Sequence, residues 1–151
     1  MVAINHALTG AIIGLVAGNP FIAVPAAVAS HFVCDSLPHF DPAMPTERWL
    51  KTKTFRNMLI IDASLCVALV IVLALTRPEH WFLAAVCAFA ATSPDFLWLN
   101  QFIKTRRHEI WRPNLFSRFS SAIQWFTAPI GAAVELTWAI SAIILLMPFI
   151  D

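Results

Sequence analysis

Five apolar runs, each near the length of a bilayer crossing, constrain what this chain can fold into. Crossing the hydrocarbon core takes about 20 apolar residues, with a range of about 17–25. The runs extend from Val2 to Gly18, Phe21 to Leu37, Met58 to Thr76, Trp81 to Ile103 and Thr127 to Ile150. Asn19-Pro20 turns the chain after the first, Pro38 closes the second, and Arg77-Pro78 ends the third. The first two are the shortest; they read as full crossings or as a re-entrant hairpin. Composition agrees. The 151 residues are 59% hydrophobic and 13% charged, against about 45–50% and about 25% in soluble domains. So few charges cannot cover a soluble sphere, which argues against a water-soluble enzyme, a disordered chain and a nucleic-acid binder. The expected fold is all-α: one integral-membrane domain over residues 1–151, a polytopic transmembrane helical bundle of about five spans.

No Lys or Arg precedes His6, so the first run lacks the basic region of a signal peptide and is expected to be retained. Cys34, Cys66 and Cys87 are odd in number and show no CxxC spacing, so they read as small buried hydrophobes. Basic residues fall in three places. Arg48, Lys51, Lys53 and Arg56 follow the second run, Arg77 follows the third, and Lys104, Arg106, Arg107, Arg112 and Arg118 follow the fourth. With five crossings, the first and last groups share a side holding nine of the ten basic residues. The positive-inside rule makes that side cytoplasmic, puts the N-terminus there and leaves Asp151 outside. Trp81 and Trp111 fall at expected borders, where aromatic anchors belong.

Residues 104–126 are too polar to cross. Ile110, Trp111, Leu115, Phe116, Phe119, Ile123 and Phe126 recur at roughly helical spacing between Arg and Ser. That pattern reads as an amphipathic segment lying on the cytoplasmic leaflet, between spans four and five and broken at Pro113; the plainer alternative is a basic loop.

Ionisable groups at membrane depth cost about 2.5–3.5 kcal/mol each on insertion scales, and they usually face the bundle interior. Every span here carries at least one: His6, then His31 and Asp35, then Asp62, Asp95 and Glu135, with His39 and Asp41 just past the second span. All fall toward the same, cytoplasmic ends of their spans, which one shared site explains better than scattered structural charges. The strongest local pattern is Ser30-His31-x-x-x-Asp35-x-x-Pro38-His39-x-Asp41. His31 and Asp35, four apart, share a helix face and can offer a nitrogen and an oxygen to one ion. His6, His31, Asp35 and His39 are the candidate metal ligands. Asp95, Asp62 and Glu135 are the candidate general base or partners of a ligating histidine. Imidazole and carboxylate suit a divalent metal, Zn²⁺ first, with Fe²⁺ or Mn²⁺ as alternatives. Pro94, before Asp95, should loosen the fourth span and free carbonyls to line a pocket. Blander readings stand beside these: His31 and Asp35 as a self-satisfied pair, Asp62 reaching for water, Glu135 paired with an arginine. His80 beside Glu79, and His108, read as surface residues. Gly10, Gly14 and Gly18 form GxxxGxxxG, which permits close packing inside the bundle or, less readily, dimerisation.

His6-Ala7-Leu8-Thr9-Gly10, Ser30-His31-x-x-x-Asp35, Ser93-Pro94-Asp95 and Val134-Glu135-Leu136-Thr137-Trp138 resemble the membrane-bound metal-dependent hydrolase-like family. That family includes LexA-regulated inner-membrane proteins of bacteria and small relatives with an HxLTG start. The resemblance covers most of the chain through short motifs, and it implies a helical bundle with a bound divalent metal in a bacterial inner membrane. The HR…THS stretch of many relatives has no counterpart; Ser117, Ser120 and Ser121 occupy the corresponding basic segment. The leading expectation is a metal-dependent hydrolase acting on a lipid or lipid-linked phosphoester, with membrane lipid as partner and no nucleic acid. The alternatives are a metal-ion or proton transporter and a non-catalytic metal-binding structural protein of the membrane.

Overall fold

The computed structural model describes residues 1–40, 46–107, 109, 110 and 112–150. Asp41, His108, Trp111 and Asp151, all named above, lie outside the described residues. Within them the chain is helical, with no strand; a single isolated bridge pairs His39 with Thr127.

Helix α1 (Ala3–Ala17) ends where Gly18 takes a left-handed φ of 59°. Helix α2 (Pro20–Ser36) starts at once. Asn19 accepts a hydrogen bond from the Phe21 N–H, and Pro20 sits where no N–H is needed. Leu37, extended ahead of Pro38, stops it. The short α3 (Thr46–Trp49) leads to α4 (Lys53–Thr76), capped by the Thr52 hydroxyl. Helix α5 (Trp81–Thr92) gives way to a 3₁₀ segment (Ser93–Trp98) and then to α6 (Leu99–Arg106). The fourth apolar run is therefore not one straight helix: the parts before and after residue 98 are bent by 41°. Pro94 explains the change from α to 3₁₀, since it has no N–H for the α-helical ladder and crowds the residue before it; the bend itself falls four residues on, where the 3₁₀ segment meets α6. Helix α7 (Leu115–Ile123) is capped by Asn114, just past Pro113, and α8 (Gly131–Ile150) completes the chain.

Helix α1 is the axis, touching α5, α2, α8 and α4. Its glycines set the closest approach. A Cβ on Gly10 would lie 2.3 Å from the Cys87 carbonyl oxygen, and one on Gly14 would lie 2.6 Å from the Ala84 Cα. The repeat thus serves packing of α1 on α5 within the chain. Ala7, Ala11, Ala84 and Ala88 fill the resulting seam, with Leu15 and Leu73 beside it. Cys34 and Cys87 are buried, Cys66 is half-buried, and all three are free thiols.

Two helices, α4 and α8, are long and apolar enough to cross a membrane; α5 with its bent continuation makes a third if counted as one span. Helices α1 and α2 are apolar but have 15 and 17 residues. At 1.5 Å per residue they reach only about 22–26 Å, against a hydrocarbon core of about 30 Å. Burial follows the same division. Only 11% of the most apolar stretch of α4 and 17% of that of α8 are buried within the bundle. Ile61, Leu65, Leu75, Leu136 and Ile144 stand exposed, an apolar surface that suits contact with lipid rather than water.

Candidate metal centre

The start of α1, the end of α2, the start of α4, the break after α5 and the start of α8 meet at one end of the bundle. His6 lies one turn before Gly10, on the face that α5 approaches, and its side chain is fully buried. His31 and Asp35 occupy the last turns of α2 and are each only 2% exposed. The rings of His6 and His31 stack, with centroids 4.1 Å apart. Asp95, in the 3₁₀ segment, brings a carboxylate oxygen to 3.8 Å from His31 Nε2. Ligand atoms of His6, His31 and Asp95 lie within 4.8 Å of one another, so these three residues could hold one metal ion.

The tautomer of His31 can be read from its partner. Nδ1 lies 2.9 Å from the Ala91 carbonyl oxygen. A carbonyl only accepts, so Nδ1 carries the proton and Nε2 turns a lone pair toward the carboxylates. That carbonyl is available because of Pro94: in the 3₁₀ segment its donor would be residue 94, which has no N–H. A backbone acceptor behind a histidine is the usual support of a metal ligand. His6 adds a second sign. Nε2 lies 3.2 Å from Asp35 Oδ1, within ion-pair reach, and neither ring nitrogen meets hydrogen-bond geometry with any of the described residues. A buried imidazole whose ring nitrogens lack well-formed hydrogen bonds is costly unless something binds it. The donor set therefore fits a divalent cation.

Asp35 lies at the edge of both stacked rings, facing their Nε2 atoms. Its Oδ1 faces His6, and its Oδ2 lies 3.4 Å from His31 Nε2. The same carboxylate accepts from the Met1 amine at 2.7 Å and from Gln124 Nε2 at 3.1 Å.

The remaining expected site residues are at or near this end but are engaged otherwise. Asp62 accepts the Ala3 and Ile4 N–H groups at 2.7 and 2.8 Å. It thus caps α1 from α4, where the residue before that helix, Val2, offers no side-chain cap. Glu135 accepts from Phe40 N–H at 3.0 Å and Val2 N–H at 3.4 Å, joining three segments. His39, also expected as a ligand, is buried but is not among the mutually close donors. Its Nδ1 lies 2.9 Å from the Leu37 carbonyl oxygen, and its own carbonyl accepts from Ala128 N–H. Because α2 stops before Pro38, His39 does not continue the face of His31 and Asp35. His80 lies at the far end of the bundle, 3.7 Å from the Glu79 carboxylate and half-exposed.

Two participants had no spacing to announce them. Gln124 belongs to the polar segment far along the chain, and Asn5, beside His6, is buried with its side-chain oxygen unpartnered. Asn5 donates to the Glu135 carbonyl at 3.1 Å, and Thr9, a turn on, accepts from Trp138 Nε1 at 3.0 Å. These bonds lock the site-bearing face of α1 to α8. No protein-family model, curated protein or solved structure matches the chain.

Proposed function

We propose that the protein is a metal-dependent hydrolase of the bacterial inner membrane, acting on a lipid or lipid-linked phosphoester at the cytoplasmic leaflet. In this reading α4, α8 and the bent α5–α6 unit cross the bilayer. The shorter α1 and α2 complete about five spans or form a re-entrant hairpin, with the N-terminus cytoplasmic. The observation that carries the reading is the buried His6 imidazole, without a well-formed hydrogen bond at either nitrogen and stacked on a His31 whose lone pair is aimed into the same space. Two imidazoles and a carboxylate suit Zn²⁺, with Fe²⁺ and Mn²⁺ the competing ions. A divalent ion here would supply an activated water and Lewis-acid stabilisation of a phosphoryl oxygen. His6, His31 and Asp95 would hold it. Asp35, against both rings, would orient them and add negative charge beside the ion. Asp62 and Glu135 fix the helix starts that carry the site.

Elemental analysis of the purified protein tests the first half: wild type carries about one equivalent of metal, and His31→Ala carries none. Hydrolysis of lipid phosphoesters in bilayers, lost with chelator and restored by metal, tests the second. A chelator-insensitive reaction refutes the mechanism. Metal or proton flux in liposomes without hydrolysis replaces it with a transporter.

A further inference from the structure

Helix α7 rests on α2 and on no other helix to a comparable extent. Its seat is aromatic: Phe116 and Phe119 meet the Phe32 ring edge-on at 6.2 and 5.4 Å, and Phe32 in turn meets His31 at 5.2 Å. Just beyond the helix, Gln124 donates to Asp35, and Trp125 Nε1 donates to the Ser36 carbonyl at 2.9 Å. The inner side of this segment is therefore joined to the centre at two depths, through edge-on ring contacts and through an amide. Apart from that Trp125 Nε1 bond, the outer side makes no such contact among the described residues. Leu115 is 85% exposed and Trp125 72%, beside the exposed Arg112 and Arg118, with Arg106 and Arg107 exposed at the end of α6. Glu109 is the one acidic residue between Leu99 and Phe126. Apolar rings and leucine among cationic groups, with almost no opposing charge, complement an anionic phospholipid surface, into which the rings sink while arginines meet phosphates.

We infer that Arg106, Arg107 and residues 112–126 form a docking surface for anionic phospholipid headgroups, and that docking holds α7 over the His/Asp centre as a cover latched by Gln124. The inference rests on the metal-centre reading for what is covered, though not for the docking itself. Lipid contact and site closure are two sides of one segment. A bilayer rich in anionic lipid keeps the cover down; a neutral bilayer lets it lift from Phe32 and breaks the Gln124–Asp35 bond.

The test uses the full chain in nanodiscs of phosphatidylcholine alone or mixed with phosphatidylglycerol. Ser120, half-buried on the inner side of α7, is changed to Cys, and its reaction with a water-soluble maleimide is followed above the background of the three native thiols. Removing one basic charge weakens attraction to such a surface about fivefold. Ser120→Cys should therefore label at least about tenfold more slowly in the anionic discs than in the neutral ones. With Arg106, Arg107, Arg112 and Arg118 all changed to Gln, labelling in anionic discs should be as fast as in neutral ones. Equal rates in the two lipids overturn the inference, as does protection that appears only with two protein copies per disc. The latch is read separately by loading Co²⁺ and adding chelator. Gln124→Ala should release the ion about tenfold faster or more, with the loaded amount at saturation unchanged. An unchanged release rate overturns the latch. Wild type that takes up no Co²⁺ refutes the metal centre instead, and the labelling rates still decide the docking.

Discussion

Asp35 and Asp62 are both buried-end carboxylates on apolar helices, and their partners give them different work. Asp62 meets two backbone N–H groups at the start of α1, where the helix dipole favours a negative charge. Asp35 meets two imidazoles. Substitution should separate them. Asp62→Ala should lower stability by about 1–2 kcal/mol, the loss of a good cap, while thermal unfolding in detergent still shows a metal-dependent increase in midpoint. Asp35→Asn keeps the shape but removes the charge that balances a divalent ion, and partners of this kind set affinity by about 10–100-fold. It should bind Co²⁺ that much more weakly in a titration, with hydrolysis falling in step. Equal metal affinity in Asp35→Asn and wild type would remove Asp35 from the centre. The sequence made the gathering of His6, His31, Asp35 and Asp95 legible, because each sits at the matching end of its apolar run. It did not tell ligand from cap. That distinction depends on which backbone donors another helix presents, and no spacing within one segment encodes it.

Among the elements, α5 and its break show how one residue reaches the chemistry. Pro94 ends the α-helical ladder, leaves the Ala91 carbonyl to His31 and carries Asp95 inward. Pro94→Ala should let the helix run on and offer that carbonyl a backbone donor. Metal affinity should then fall by about tenfold or more, while helix content by circular dichroism is kept or rises. Unchanged affinity would mean that the Ala91 contact does not orient His31. The proline was visible as a source of free carbonyls; the bend after the 3₁₀ segment, which makes the run from Trp81 to Ile103 something other than one straight span, had no such signal. The α1–α5 seam carries a second expectation. A methyl on Gly10 or Gly14 meets backbone, which cannot swing aside. Gly10→Ala and Gly14→Ala should each cost about 1–3 kcal/mol, read as a lower unfolding midpoint, beside little change for Val16→Leu at an exposed position. Wild-type stability in both glycine variants would show that the seam is looser than these distances.

For the whole molecule, the all-helical character and the clustering of charge at one end follow from apolar run length and charge depth, both properties of the sequence. The number of crossings does not follow so simply. Run length cannot tell a helix that touches lipid on every side from one wrapped by its neighbours, and α1 is the second kind. Orientation is checked with reporter fusions. A reporter in the loop at Glu79 should read the exterior, and one between α6 and α7 the cytoplasm; the reverse pattern would put the centre on the other leaflet.

The central place of α1 also bears on the order in which the protein can be built. The helix that every other long helix leans on is translated before all of them. At about 22 Å it is too short to settle across a bilayer by itself, and α4, α5 and α8, which wrap it, leave the ribosome later. It must therefore wait, paired at most with α2, until its sheath arrives. The α8 residues that tie down α1, Glu135 and Trp138, follow every other residue of the site in the chain, so the site is closed only once α8 has been made. A chain halted at Thr76 should hold its N-terminal helices where added protease can reach them, and a chain carried through Ile150 should not.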